Sequence, residues 1–292
     1  MPPIRHRRAR ATWLLAVALA AVAAPLRAAE PWQSLPPTPA LPSGTTSHYA
    51  TIHGARLWYA QWGPETGRVP VLLLHGGLGN SNYFGRLIPA LVAKGYPVVA
   101  MDSRGHGRST RRDEPLTYHQ MAEDAAALLD LLGIARASVV GWSDGAITGI
   151  DLALHHRRRV ARLFAFAANA DVSGSIDGGD ETATFVAYLA RARDEYRELS
   201  PTPDALASFE VALGTMWASL PAYTAAELGS IRVPVTIADG AYDEVVKPEH
   251  TRYLAAAIPH ARLVVLPGVS HFAILQDPAA FNAAVLEFLA QR

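Results

Sequence analysis

The chain has 292 residues, half of them hydrophobic, which is enough for one large α/β domain or two small ones. Basic and acidic residues number 26 each, but five of the basic ones lie within residues 1–28, which leaves a mildly acidic remainder of 21 basic against 26 acidic side chains. This balance argues against nucleic acid or an anionic membrane surface as a partner, and the lack of cysteine excludes disulfides and a lipid-anchored cysteine.

Residues 1–28 are predicted to be an export signal peptide. A basic start precedes an apolar run at residues 11–24, which is followed by Pro25 and small residues. The run is too short to span a bilayer. We expect cleavage after Ala28 or Ala29 and a periplasmic or secreted product without a stable membrane anchor. The alternative is a disordered basic tail on a cytosolic protein.

Residues 29–47 are rich in proline and predict an extended, poorly packed lead-in. From residue 48 onward, apolar β runs alternate with helical patterns, which predicts an α/β fold with a mostly parallel central sheet and helices on both faces. The predicted strands are residues 48–53, 56–61, 69–74, 97–101, 137–142, 161–168, 233–238 and 262–266. The predicted helices are residues 83–94, 118–132, 144–156, 182–199, 205–218, 248–257 and 278–289.

The stretch from about residue 171 to 230 interrupts this alternation. It opens with three glycines and continues with two helical patterns separated by Pro201 and Pro203. Its position after a predicted sheet strand indicates a helical lid. The predicted organisation is therefore one α/β domain, residues 48–292, with a lid insertion at about 171–230.

Residues 139–146 form an apolar run, then Gly-x-Ser-x-Gly, then the start of a helical pattern. This order predicts a nucleophile elbow, a strained strand-to-helix turn that exposes the hydroxyl of Ser143. The glycines are needed because side chains two residues before and after the serine would collide in so tight a turn. Gly141 and Gly145 provide that space.

Three polar residues follow three predicted strands in the order Ser143, Asp243, His271, and sheets of this type carry their sites beyond the carboxyl ends of the strands. The motifs around them are residues 75–77 (His-Gly-Gly), 102–109 (Asp-Ser-Arg-Gly-His-Gly-Arg-Ser), 141–145 (Gly-Trp-Ser-Asp-Gly), 240–243 (Gly-Ala-Tyr-Asp) and 268–272 (Gly-Val-Ser-His-Phe). With these motifs the chain resembles the α/β-hydrolase superfamily from about residue 48 to its C-terminus.

The resemblance implies an α/β-hydrolase fold and a serine hydrolase activity. Ser143 is expected to be the nucleophile. A serine hydroxyl needs a base to accept its proton, and His271 is expected to be that base. Asp243 is expected to orient the imidazole. Some superfamily members carry the acid after the preceding strand, where Asp171 is available, and Glu244 is a second alternative.

The oxyanion of the tetrahedral intermediate needs hydrogen-bond donors. The backbone N–H of Asp144 is one expected donor, and that of Gly77, or alternatively Leu78, is the other.

The carboxylate of Asp144 has two interpretations. It could bind a substrate ammonium group, as in an α-amino ester, and the 141–145 motif resembles that of biphenyl-hydrolase-like enzymes. Alternatively, it accepts hydrogen bonds from N–H groups in the first turn of the following helix.

The acyl pocket is predicted from apolar residues of the lid and of the two motifs around Ser143 and His271. These residues either line the pocket or pack the lid onto the body. They are Trp142, Phe185, Tyr188, Met216, Trp217 and Phe272.

The predicted function is cleavage of a small-molecule ester, lactone or amide through an acyl-serine intermediate. Carbon–carbon or other non-hydrolytic chemistry with the same triad, and a catalytically silent ligand-binding protein, are the alternatives. No organic cofactor or metal is expected, since the triad and the oxyanion donors suffice.

Other polar residues in the motifs receive structural interpretations. Asp102 and Arg104 are expected to form a structural turn, and the His155-His156 pair to lie at a solvated helix end. A metal site of His75, His106 and His271 is a further alternative that carboxylate spacing does not support.

Overall fold

The computed structural model describes residues 30–291, so the predicted signal peptide at residues 1–28 lies outside the described residues. The strands are β1 (Thr46–Ile52), β2 (Ala55–Trp62), β3 (Val71–Leu74), β4 (Val98–Met101), β5 (Ala137–Trp142), β6 (Val160–Phe166), β7 (Val235–Gly240) and β8 (Arg262–Leu266). The α-helices are α1 (Leu87–Ala93), α2 (Tyr118–Leu131), α3 (Asp144–His155), α4 (Ala183–Leu199), α5 (Leu206–Trp217), α6 (Ala225–Leu228), α7 (Pro248–Ala257), α8 (Ala273–Gln276) and α9 (Pro278–Ala290). No helix within residues 30–291 is long and apolar enough to cross a membrane.

All eight strands belong to one sheet in the order β1-β2-β4-β3-β5-β6-β7-β8. β1 and β2 form an antiparallel hairpin, β2 is antiparallel to β4, and the pairs from β4 through β8 are parallel. β3, β4 and β5 are buried along their whole length, as expected for strands covered by helices on both faces. The predicted α/β-hydrolase fold is confirmed, and the parallel strands deliver their carboxyl ends to one edge of the sheet.

The predicted helix at residues 83–94 is divided in two. A 3₁₀ turn, Ser81–Phe84, precedes α1, and Gly85 lies between them. The lead-in passes so close to Gly85 that a Cβ at this position would collide with the carbonyl oxygen of Ala40. This contact explains why residue 85 is glycine, a requirement that local periodicity does not encode.

The lead-in is not poorly packed, and this part of the sequence prediction is wrong. Arg191 on α4 donates hydrogen bonds to the carbonyl oxygens of Leu35 and Pro36, at 2.8 and 2.6 Å. The side-chain amide of Gln276 donates to the carbonyl oxygen of Ser34 at 2.9 Å. The ring of Trp32 stacks on Tyr242 with ring centroids 4.6 Å apart. The carbonyl oxygens of this extended segment need donors, and side chains of the domain supply them.

The segment between β6 and β7, residues 167–234, contains α4, α5 and the short α6. It is attached to the loop that follows β7 by a backbone bridge between Ser175 and Val246. α4 and α5 contribute side chains to the cavity above the carboxyl end of β5. The predicted insertion thus lies over the predicted site, and opening as a lid stays a prediction.

Candidate active site

Ser143 occupies the turn between β5 and α3 with φ +54° and ψ −122°, a conformation that non-glycine residues rarely adopt. A Cβ at Gly141 would collide with the backbone of Gly145, and a Cβ at Gly145 would collide with the carbonyl oxygen of Leu74. The two glycines therefore allow α3 to start directly against β3, and the serine is held at the tip of the turn.

We expect Gly145→Ala to lower the free energy of unfolding by about 3 kcal/mol, because the new methyl group would have to displace the backbone of β3. Gly214→Ala is a matched control, since Gly214 lies in α5 and no neighbouring atom comes within 4 Å of the place that its added methyl group would take. That variant should be more stable by about 0.5–1 kcal/mol. Urea unfolding of both variants measures this difference, and equal stabilities would contradict the steric account.

Ser143, His271 and Asp243 meet at the carboxyl edge of the sheet. Nε2 of His271 lies 3.0 Å from Oγ of Ser143, and Nδ1 lies 2.8 Å from Oδ2 of Asp243. Oδ1 of Asp243 accepts the backbone N–H groups of Val245 and Val246 at 2.7 and 2.8 Å. The histidine thus connects the serine hydroxyl to a carboxylate that is fixed on its other side by the backbone.

Burial shifts the pKa of both members of the histidine–aspartate pair. It raises the pKa of Asp243 to about 7 and lowers the pKa of His271, because removal from water disfavours either charge. The two backbone N–H groups that bond Oδ1 favour the ionised form of Asp243, and an ionised carboxylate accepts the Nδ1–H of His271 through Oδ2. Nε2 is then free to accept a proton from Ser143.

A second buried acid, Asp239, lies beside the pair, and sequence reasoning missed it. Burial and the neighbouring Asp243 carboxylate raise the pKa of Asp239 well above its usual range. Its oxygens accept the Thr251 hydroxyl at 2.5 Å and the N–H of Gly240 at 2.8 Å. Asp239 therefore belongs to the buried electrostatic surroundings of Asp243. An acid directly after the predicted apolar run 233–238 was the available signal.

The alternative acids lie elsewhere. The carboxylate of Glu244 accepts the backbone N–H of His271 at 3.1 Å and does not contact the imidazole nitrogens. Asp171 accepts the N–H of Ser173 in a 3₁₀ turn. Asp243 is therefore the carboxylate that contacts the ring of His271.

The predicted oxyanion donors lie in the loop after β3 and at the start of α3. Gly76 and Gly77 pass directly over the elbow, since a Cβ on Gly76 would lie 3.2 Å from Cβ of Ser143. The backbone N–H groups of Gly77, Leu78 and Asp144 donate no hydrogen bond within the part of the chain that the structure describes. Gly77 and Asp144 line the cavity, whereas Leu78 is buried with φ +58° and does not. The geometry therefore favours Gly77 over Leu78 as the second donor.

The carboxylate of Asp144 lies in the cavity, and its hydrogen bonds come from side chains. Oδ1 accepts the hydroxyl of Tyr118 at 2.8 Å and Oδ2 accepts Nε1 of Trp217 at 2.9 Å. It makes no hydrogen bond to the first-turn N–H groups of α3, so the helix-capping interpretation is wrong. Burial raises the pKa of Asp144, and the bonds from Trp217 and Tyr118 oppose that rise.

The cavity above Ser143 has a volume of about 450 Å³ and is lined mainly by apolar side chains. Trp142, Phe185, Tyr188 and Trp217 line it as predicted. Met216 and Phe272 do not line it, and the packing alternative describes them better.

The side chains of Met216 and Phe272 are almost fully buried in packing contacts. Phe272 packs between Trp142 and Tyr188, with ring centroids 6.0 and 4.9 Å away. Met216 precedes Trp217 on α5, and neighbouring helix positions point to different faces. Further polar residues that sequence reasoning missed line the cavity: Tyr118, Asn169, Ser175 and Asp180.

Asp102 and Arg104 have structural roles, as predicted. Arg104 donates two hydrogen bonds of 2.6 Å to the buried carboxylate of Asp124. Asp102 accepts the N–H of Ser81 at 2.8 Å and pairs with Arg108 at 3.0 Å. None of these residues lines the cavity.

The triple-histidine metal site does not form. His75 bonds the carbonyl oxygen of Gly76 and the N–H of Ser103 through its two ring nitrogens, while those of His271 contact Ser143 and Asp243. Neither imidazole therefore has a nitrogen directed at a common centre.

Comparisons with known proteins agree with this architecture. A family model described as the alpha/beta hydrolase fold matches residues 69–222 and 221–278. RutD of Caulobacter sp. (strain K31), provisionally named a carbamate hydrolase, is 31% identical over 276 residues, covering 85% of this chain and 97% of RutD. The human serine hydrolase BPHL is 29% identical over 269 residues, covering 87% of this chain and 89% of BPHL. The crystal structure of the enol-lactonase from Burkholderia xenovorans LB400 gives a TM-score of 0.68 at 28% identity, covering 84% of this chain and 100% of that chain.

Proposed function

The chain belongs to the α/β-hydrolase family and is a hydrolase, and we propose that it cleaves a small-molecule ester, lactone or amide through an acyl intermediate on Ser143. The observation that carries this proposal is the contact of Nε2 of His271 with Oγ of Ser143 at 3.0 Å, with Asp243 at 2.8 Å on the other ring nitrogen. The cavity of about 450 Å³ has the size of a small-molecule site.

The reaction follows from these contacts. Oγ of Ser143 attacks the substrate carbonyl carbon while Nε2 of His271 accepts the hydroxyl proton. The oxyanion accepts hydrogen bonds from the free backbone N–H groups of Asp144 and Gly77. Loss of one such donor lowers kcat by a factor on the order of 10²–10³. Collapse of the intermediate breaks the bond to the leaving group, which takes the proton from His271. In the second half of the reaction, water attacks the acyl-serine while Nε2 of His271 accepts a proton from it. The bond to Oγ of Ser143 then breaks, Ser143 takes that proton from His271, and the acid product leaves.

A set of p-nitrophenyl esters of increasing acyl length tests the activity directly. We expect turnover of short acyl esters, because the cavity is small and apolar. Labelling with a fluorophosphonate, followed by peptide mapping, identifies the reactive hydroxyl without assuming a substrate. A label on any residue other than Ser143 would overturn the proposal.

The charge of the cavity favours a cationic substrate. Asp144 and Asp180 line it, and neither lysine nor arginine is among the described residues that do so. Each oxygen of the Asp144 carboxylate accepts one hydrogen bond and keeps a second lone pair. We propose that Asp144 binds the ammonium group of a substrate such as an α-amino ester.

We expect Asp144→Asn to raise KM about tenfold for the p-nitrophenyl ester of L-valine, because a charge-assisted hydrogen bond is lost. The matched substrate is the p-nitrophenyl ester of 3-methylbutanoate, which differs only in lacking the ammonium group. Its KM should change by less than about twofold. Equal rises for both esters would show that the substitution disturbs the site in general and would remove the ammonium interpretation.

A further inference from the structure

A cluster of two histidines and one aspartate joins α2 to α3 outside the catalytic cavity. Nδ1 of His119 on α2 and Nδ1 of His155 on α3 each lie 2.9 Å from Oδ1 of Asp151. The two imidazole rings have centroids 4.6 Å apart. Asp151 and His155 are separated by four residues, so they project from the same face of α3.

These three atoms are close enough together to be brought around one metal ion. They all lie within 4.8 Å of one another. Imidazole nitrogens and carboxylate oxygens bind Zn²⁺ at about 2.0–2.2 Å, so neighbouring ligand atoms on one ion are about 3 Å apart. Small rotations of the exposed rings of His119 and His155 would place an ion between them and Asp151.

The electrostatics of Asp151 also favour a cation. Its carboxylate is 4% exposed, and a buried carboxylate needs compensation. Its second oxygen accepts only the hydroxyl of Tyr223, at 3.1 Å. Within residues 30–291, the side chains that pair with it as potential cations are the two histidines, and no lysine or arginine does so.

The carboxylate of Glu123 lies near the second ring nitrogen of His119. Oε1 of Glu123, one helical turn along α2, lies 3.7 Å from Nε2 of His119, which is longer than a hydrogen bond but close enough to form one after a small rotation of the ring. Metal-binding histidines commonly donate their second ring N–H to such a carboxylate, which fixes the ring and raises its basicity. Glu123 is in turn held by Nε2 of His156 at 2.6 Å.

We propose that His119, Asp151 and His155 form a binding site for a divalent transition metal of the zinc type, with water completing the coordination. Imidazole and carboxylate together suit Zn²⁺ rather than Ca²⁺ or Mg²⁺, which take oxygen ligands. The ion would link α2 to α3. These are the helices that carry Tyr118 and Asp144, so the link would stabilise the pair that shapes one wall of the cavity.

Calorimetric titration of the tag-free, EDTA-treated full chain with ZnCl₂ tests this site. We expect one equivalent to bind, with a higher melting temperature, and affinity about 100-fold weaker in His119→Ala and in His155→Ala, since each loses one of three ligands. His48→Ala is the matched control, because His48 is an exposed histidine on β1, and it should bind like the parent chain. MgCl₂ should bind to none of these proteins.

Two results would overturn the proposal. One is the absence of zinc binding by the parent chain. The other is unchanged affinity in both His119→Ala and His155→Ala, which would place the ion elsewhere, for instance on His271. Because esterase turnover is not the readout, the outcome is independent of the proposed catalytic function.

Discussion

Replacing Ser143 by alanine is expected to reduce kcat for a p-nitrophenyl ester by about 10⁵-fold while the protein stays folded. The hydroxyl is the proposed nucleophile, and without it only the oxyanion donors and substrate binding contribute to the rate. The fold should persist because alanine fills less space at a turn whose strain comes from the backbone. Steady-state kinetics, together with far-UV circular dichroism, measure both parts of the prediction.

Ser175→Ala is the matched control for this variant. Ser175 also lines the cavity and is also a serine, but it lies beyond the contacts of His271. We expect its kcat to stay within about threefold of the parent value and fluorophosphonate labelling to persist. If Ser143→Ala kept the parent rate, a different residue would have to be the nucleophile.

Asp243→Asn is expected to lower kcat by about 10⁴-fold. The amide would present an N–H or a neutral oxygen where Nδ1 of His271 now meets a carboxylate at 2.8 Å, so the imidazole would lose its tautomer and its charge partner. Substrate binding should change little, because Asp243 does not line the cavity. The effect should therefore appear in kcat and leave KM within about threefold.

Two neighbouring acids provide controls for Asp243→Asn. Glu244→Gln keeps a carbonyl oxygen that can accept the backbone N–H of His271, and Asp171→Asn keeps the acceptor for Ser173. Both should retain kcat within about tenfold. A loss of 10⁴-fold in Glu244→Gln with an active Asp243→Asn would move the role of the acid to Glu244.

The sheet and the nucleophile turn could be predicted because their determinants are local. Buried parallel strands need continuous apolar runs, and β5 was predicted with the bounds that the structure gives, Ala137–Trp142. The turn needs glycine on both sides of Ser143, which the sequence shows directly. The approach of His271 to Ser143 followed from the resemblance and from the rule that such strands end at one edge.

The remaining features depend on contacts between distant segments. Met216 and Phe272 are apolar, as pocket residues often are, yet both pack internally. The residue type alone does not show towards which face of the element a side chain points. In the sequence Asp239 only marks the end of a strand, and the structure shows that it is buried beside Asp243. His155 belongs to a pattern that indicates a solvated helix end, and only the packing of α2 on α3 brings His119 to Asp151.

The proline-rich segment before β1 connects distant parts of the domain, so its removal is expected to affect more than the N-terminus. Residues 31–45 contact α4 through Arg191, the loop of Asp243 through Tyr242, and α8, which follows His271, through Gln276. They also contact β2 and Gly85. These contacts hold α4 in position relative to the two segments that carry the proposed acid and base. Removing residues 31–45 is expected to free α4 from both segments and also to delete two hydrogen bonds with β2.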